Sequence, residues 1–188
     1  MCPLSNTAAV DWPAASQAGS EGGRRPRLNP VPGERAPRRI TFDPATFRWE
    51  GVAEKPYKFS VGDERGMGWK DLTRHTLGRP GDLGADFELR YFELDPGGYS
   101  SIEKHVHVHL VVAVRGAGRA LVGDALVDLA PFDAVYVPSL TPHRWLNEGD
   151  EPFGFLCTVD AERDRPQPLD DAEWEALRAN PVTAPYVY

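Results

Sequence analysis

Residues 97–116, GGYSSIEKHVHVHLVVAVRG, hold three of the five histidines of this 188-residue chain within five positions. His105, His107 and His109 share one parity, and Glu103 shares it too. Side chains alternate between faces along an extended chain, so all four would line one side of a strand. Three imidazoles and a carboxylate are unfavourable to bury unless their charge and hydrogen-bonding capacity are met. A divalent metal ion meets both. The competing reading is a solvated strand face, on which polar residues at alternate positions are ordinary. The segment that continues the row, HLVVAVR at 109–115, is β-branched and almost wholly apolar, as a core strand is.

Outward from that row the chain reads as short strands set apart by turn residues. GWKDLTRHTLG (68–78) is bounded by glycines, and ADFELRYFEL (85–94) alternates Phe87, Leu89 and Tyr91 with Glu88, Arg90 and Phe92. DPGGYS then turns the chain. GRALVGDALVDL (118–129) reads as two strands about Gly123-Asp124, a two-residue hairpin turn. DAVYVP, HRWLN and PFGFLCTV add three more strands. Many short strands with Gly and Pro punctuation predict an all-β, antiparallel sandwich or barrel. One helix closes the chain: LDDAEWEALRAN (169–180), started by an Asp170–Glu173 capping box and stopped by Asn180-Pro181. Trp174 and Leu177 would dock it on the outside of the barrel. The last segment, PVTAPYVY, lacks charge and is expected to pack on this chain or a neighbour.

Residues 1–39 carry six arginines against three acids and are rich in Pro, Gly, Ser and Ala, without periodicity. Such a segment buries too little apolar surface to offset the entropy of ordering it, so it is expected to be a disordered tail. Residues 40–84 read as an irregular, partly stranded lead-in packed on the barrel, 85–160 as the barrel core, and 161–188 as helix and tail. The net charge of −7 argues against nucleic acid or an anionic membrane as partner. Cys2 and Cys157 make no disulfide framework. No apolar run reaches the ~18–20 residues of a membrane span, and no apolar signal region opens the chain. A cytoplasmic location is the expectation. The nucleophile elbow, the phosphate-cradling lysine loop and the dinucleotide fingerprint are all missing from the sequence.

Two stretches of the chain are spaced like the paired motifs of the cupin family. The first motif is usually Gly, five residues, His-x-His, three or four residues, Glu, six residues, Gly. Gly97, Glu103, His105, His109 and Gly116 meet that spacing, with Glu103 where the first histidine usually stands and His109 where the glutamate does. The second is usually Gly, five residues, Pro-x-Gly, two residues, His, three residues, Asn. Pro138, His143 and Asn147 fit it, while Phe132 and Leu140 replace its glycines. Fifteen residues separate Gly116 from Phe132, an interval like that of compact members. Over about residues 85–160 the chain thus resembles a single-domain cupin. The resemblance implies a jelly-roll β-barrel, a small-molecule substrate and, through an exposed barrel edge, a homodimer.

It also implies the ligand set Glu103, His105, His109 and His143 for one divalent ion, with Fe, Mn, Ni, Cu and Zn all open. The exchange of identities preserves three histidines and one carboxylate, which suits a first-row ion with open positions. His107 is open between three roles: replacing Glu103 as ligand, supporting the ligands from behind, or reaching substrate. If it coordinates, Glu103 becomes a general base. Arg90 and Tyr99 lie on segments that approach the barrel mouth in related folds. Arg90 would clamp a substrate carboxylate or sit on the surface. Trp145 and Tyr136 would line the cavity or build the core. His75 is expected as a surface or packing residue, and Cys157 as a buried, unreactive thiol. The three-His, one-Glu inventory resembles that of cupin dioxygenases, so oxidative chemistry on a small molecule leads. Non-redox isomerisation, elimination or cyclisation at a zinc-like ion is the alternative, and metabolite binding without turnover a third.

Overall fold

A computed structural model describes residues 39–58, 65–79 and 85–188. The tail expected for 1–39 lies, save Arg39, outside them. Eleven strands are described. A short ribbon pairs β1 (Phe42–Asp43) with β2 (Arg48–Trp49). The main sheet contains β3 (Glu54–Pro56), β4 (Lys70–Gly78), β5 (Phe87–Tyr99), β6 (His109–Arg115), β7 (Gly118–Val122), β8 (Ala125–Leu129), β9 (Ala134–Val137), β10 (His143–Leu146) and β11 (Phe153–Asp160). Its order is β8-β7-β10-β5-β11-β6-β9, with β4 beside β5 and β3 beside β4, and every pairing is antiparallel. The result is a nearly closed antiparallel barrel.

Period-two patterning explains which way these strands face. In β6, His109, Val111 and Ala113 point inward while Leu110 points out. They meet Leu72, Phe92, Trp145, Phe155 and Cys157 in the barrel core. The turn expected at DPGGYS is corrected. β5 runs on through Asp95–Gly98, pairing with β4 and β11 along its first part and with β10 at Tyr99↔Leu146. A register shift opposite Lys70–Leu72 lets the strand bend from one wall to the next.

All four motif corners adopt the left-handed backbone: Gly97 and Gly116 with φ of 75° and 59°, and Phe132 and Leu140 with 76° and 57°. The two substitutions noted in the second motif therefore keep a glycine conformation without glycine, which is strained. Both side chains are exposed, so the barrel gains no core packing from them.

Helix α1 (Asp171–Ala179) is capped as its sequence foretells: the Asp170 carboxylate accepts from Glu173 N–H, and Glu173 accepts from Asp170 N–H, both at 2.9 Å. Trp174 and Leu177 join Ile102, Leu121, Leu169 and Val187 in a second apolar cluster. The closing segment packs on its own chain. Arg144 donates to the Tyr186 and Tyr188 carbonyls, and Tyr188 meets Tyr99 edge to face at 5.2 Å.

Candidate metal centre

Glu103 and His143 exchange both backbone hydrogen bonds across a β-bridge, at 3.2 and 3.0 Å. That bridge ties the two motif segments directly together. His105 then lies 4.8 Å from His143 and 4.5 Å from His109, ring centre to ring centre, and His109 lies 5.1 Å from His143. Two overlapping triads result, Glu103–His105–His143 and His105–His107–His109, each with its ligand atoms within 4.8 Å of one another and all members buried.

The row does not converge as an extended strand. Between Lys104 and His109 the backbone bends, and β6 starts only at His109. Asp164, invisible to motif spacing, holds the bend: its carboxylate accepts from Val106 N–H at 2.8 Å, His107 N–H at 3.2 Å and the His107 ring at 2.7 Å. His107 consequently stacks flat on His105, 3.6 Å away and 8° from parallel.

Hydrogen bonds behind the rings fix where their lone pairs point. A carbonyl or carboxylate only accepts, so His105 Nδ1 donates to His107 O (2.7 Å), His143 Nδ1 to Thr141 O (2.9 Å) and His107 Nδ1 to Asp164. Their Nε2 atoms are left as bare acceptors in the neutral rings. His109 Nε2 presses on His105 Nε2 at 2.7 Å, a separation that two lone pairs accept only with a proton or a cation between them. Burial pushes the His105 imidazole down to about 4, helped by the charges of His143 and His107. Burial lowers His109 and His143 as well. For Glu103, burial alone would raise the carboxyl. The Lys58 ammonium at 2.5 Å and the Ser101 hydroxyl at 2.6 Å outweigh it and hold the group below the usual carboxylate range. Near neutral pH the cluster is thus one carboxylate and several uncharged imidazoles with inward lone pairs. That donor set fits a divalent first-row ion, with oriented rings and a supported carboxylate.

The cluster forms the floor of a cavity of about 610 Å³. Arg90 lines it, buried beside Cys157, which corrects the surface alternative for this arginine. Trp145 serves as both core and cavity wall. Tyr99 is not among the residues that line the cavity; it packs against Tyr188 and Arg144. Tyr136 neither lines the cavity nor fills the core, because the parity of β9 directs Val135 and Val137 inward and exposes Tyr136. His75 packs against Tyr91 in the interior. Cys157 is buried and its thiol pushed up by that burial, yet its Sγ lies 3.1 Å from His109 Nδ1 in the cavity wall. Lys58, Tyr57, Ser101 and Asp164 were not legible as site residues. Only Ser101 carried a signal, sharing the parity of Glu103.

A family model described as a cupin domain matches residues 90–159. The 1-methylthio-D-xylulose 5-phosphate methylsulfurylase of Rhodospirillum rubrum is 40% identical over 141 residues, covering 75% of this chain and 86% of that protein. A cupin 2 conserved barrel domain protein from Rhodopseudomonas palustris superposes with a TM-score of 0.70 at 38% identity, covering 80% of this chain and 99% of that one. The glucose-6-phosphate isomerase of Pyrococcus abyssi is 36% identical over 92 residues, 46% of this chain and 45% of that protein. The chain belongs to the cupin family.

Proposed function

We propose that this protein is a metal-dependent enzyme that works, without net redox change, beside the carbonyl group of a small phosphorylated keto sugar. The observation that carries it is the convergence of Glu103, His105 and His143, overlapping the His105–His107–His109 triad, in the barrel cavity. The two curated relatives support the substrate class, since both are named for phosphorylated sugars. Glu103, His105, His109 and His143 are the residues to hold the ion. When bound, a divalent ion supplies a fixed positive charge that stabilises electron density on a carbonyl oxygen.

His107 is left for the proton. Asp164 fixes its Nδ1–H, so Nε2 is the acceptor. It takes a proton from the carbon next to the carbonyl; the C–H electron pair forms the new C=C bond, and the carbonyl π pair moves to oxygen. The Asp164 carboxylate, held far below the usual range by the Val106 and His107 N–H groups despite partial desolvation, stabilises the imidazolium until the proton returns. Enolisation of this kind is common to isomerisation and to loss of a substituent beside the carbonyl.

The test is deuterium exchange. Metal-reconstituted protein is incubated in D2O with D-xylulose 5-phosphate and with its 1-methylthio derivative, in air and under nitrogen. Exchange at the carbon beside the carbonyl, equal in both atmospheres and lost in H107Q with metal content retained, is the expected result. Turnover in air alone, with dioxygen consumed, overturns it in favour of the oxidative reading that the same ligand inventory allows. Loss of the ion in H107Q moves His107 into the ligand set.

A further inference from the structure

Arg74 and Arg90 occupy neighbouring strands, β4 and β5, whose register sets Arg74 opposite Phe92 and Arg90 opposite Thr76. Both face the cavity, and Arg163, just past β11, faces it as well. Both Nε atoms, Arg74 and Arg90, are buried without a hydrogen-bond partner. Among the described residues Arg74 makes no ion pair within 4 Å. The acid serving this group is Glu88, 3.2 Å from Arg163 and 4.0 Å from Arg90. Burial and the adjacent charge of Arg90 lower the Arg74 guanidinium below its ordinary value, a sign that the cations repel one another. Glu88 thus pairs with two of these three guanidinium groups, in a protein whose net charge is −7. Unused N–H donors beside uncompensated positive charge stabilise the apo protein in no way; they match a ligand with several anionic oxygens to set against the planar forks. Cys157 links the arginines to the histidine cluster: its Sγ is 3.7 Å from Arg90 Nη2 and 3.1 Å from His109 Nδ1.

We propose that Arg74, Arg90 and Arg163 form a phosphate subsite that anchors the phosphate monoester of the sugar while its carbonyl end lies over the histidine floor. This deepens, and rests on, the keto-sugar phosphate reading. It assigns substrate selection to three residues outside the metal cluster. Phosphate bound there is dianionic and accepts from at least two guanidinium forks.

Calorimetry with three probes tests it: D-xylulose 5-phosphate, D-xylulose and inorganic phosphate, on metal-reconstituted protein. The expected result is that R74M weakens D-xylulose 5-phosphate binding ~10–100-fold, the range for losing charge-assisted hydrogen bonds, with D-xylulose binding and metal content unchanged. Inorganic phosphate should bind H143A as it binds the parent protein and fail to bind R74M, separating the arginines from the ion. Equal weakening of phosphorylated and free sugar in R74M overturns the subsite. So does phosphate binding that disappears in H143A and persists in R74M, which places the anion on the ion. If R74M fails to fold by circular dichroism, R163Q decides by the same readouts, since its side chain is partly solvent-exposed. Phosphate binding lost in R74M together with no deuterium exchange in the parent keeps the subsite and discards the keto-sugar chemistry.

Discussion

Glu93 and Glu103 are both carboxylates withdrawn from water on the same barrel, and their surroundings differ in what is left over. Glu93 accepts from Tyr91 at 2.5 Å, Arg115 at 2.6 Å and Arg48 at 3.0 Å. Burial alone would raise its carboxyl, and these three donors hold it low. The group is saturated, opens on no described cavity, and fastens β2 and β6 to β5. Glu103 is neutralised by comparable means, through Lys58, Ser101 and Tyr57. Next to it, though, stand imidazole Nε2 atoms whose nearest partner is another imidazole, as His109 is for His105 at 2.7 Å, in a cavity whose described lining carries arginines in excess of acids. A buried charge whose partners match it builds architecture. One that leaves directed lone pairs and unmatched cations unfilled marks where other molecules bind.

That contrast can be broken from either side. The largest effect is expected of H143A, which should lower metal affinity well over ~100-fold, because it removes a ligand and not merely its support. Elemental analysis and chelator competition read this, with far-UV circular dichroism unchanged. E93Q should do the reverse, costing roughly 2–3 kcal/mol in chemical denaturation while metal content stays the same. Breaking a fully buried pair costs more, but Arg48 and Arg115 are each about one-third exposed and regain water. K58M should weaken metal binding ~10–100-fold, since Glu103 then loses the cation that keeps it ionised. Lowering the pH sharpens the comparison for the ion-free protein. His105 titrates at about 4 when folded and near 6.5 when unfolded, so below pH 6.5 the unfolded chain binds more protons. Stability should be level above that pH and decline by about 1.4 kcal/mol per unit for this one imidazole as pH falls towards 4. Thermal melts across this range check the sign. The smallest effect belongs to F132G and L140G, each expected to stabilise by up to ~1 kcal/mol by relieving left-handed strain, with the metal site indifferent.

Strands β6 to β11 and the helix were legible because each is specified by local pattern: alternation, a glycine turn at 123, a capping box at 170–173. The course of β5 through Asp95–Gly98 was not, since its turn-forming residues were overruled by backbone bonds from Gly97 and Gly98 to Asn147 and by the pairing of Tyr99 with Leu146. The candidate ligands could be read from two motif spacings. The posture of His107 could not, because the Asp164 that bends its segment lies 57 residues on. Tyr99 and Tyr136 were misplaced for the same kind of reason: which face a residue takes depends on bends and pairings elsewhere.

By itself the sequence determined that this chain folds as a cupin barrel and that three histidines and a glutamate stand at motif spacing in it, because spacing and side-chain period are properties of the chain. Only the tertiary structure decided that Lys58 neutralises Glu103, that Asp164 orients His107, and that Arg74, Arg90 and Arg163 share one wall. Those partnerships span tens of residues, and distance along the chain carries no information about charge neutralisation across a cavity.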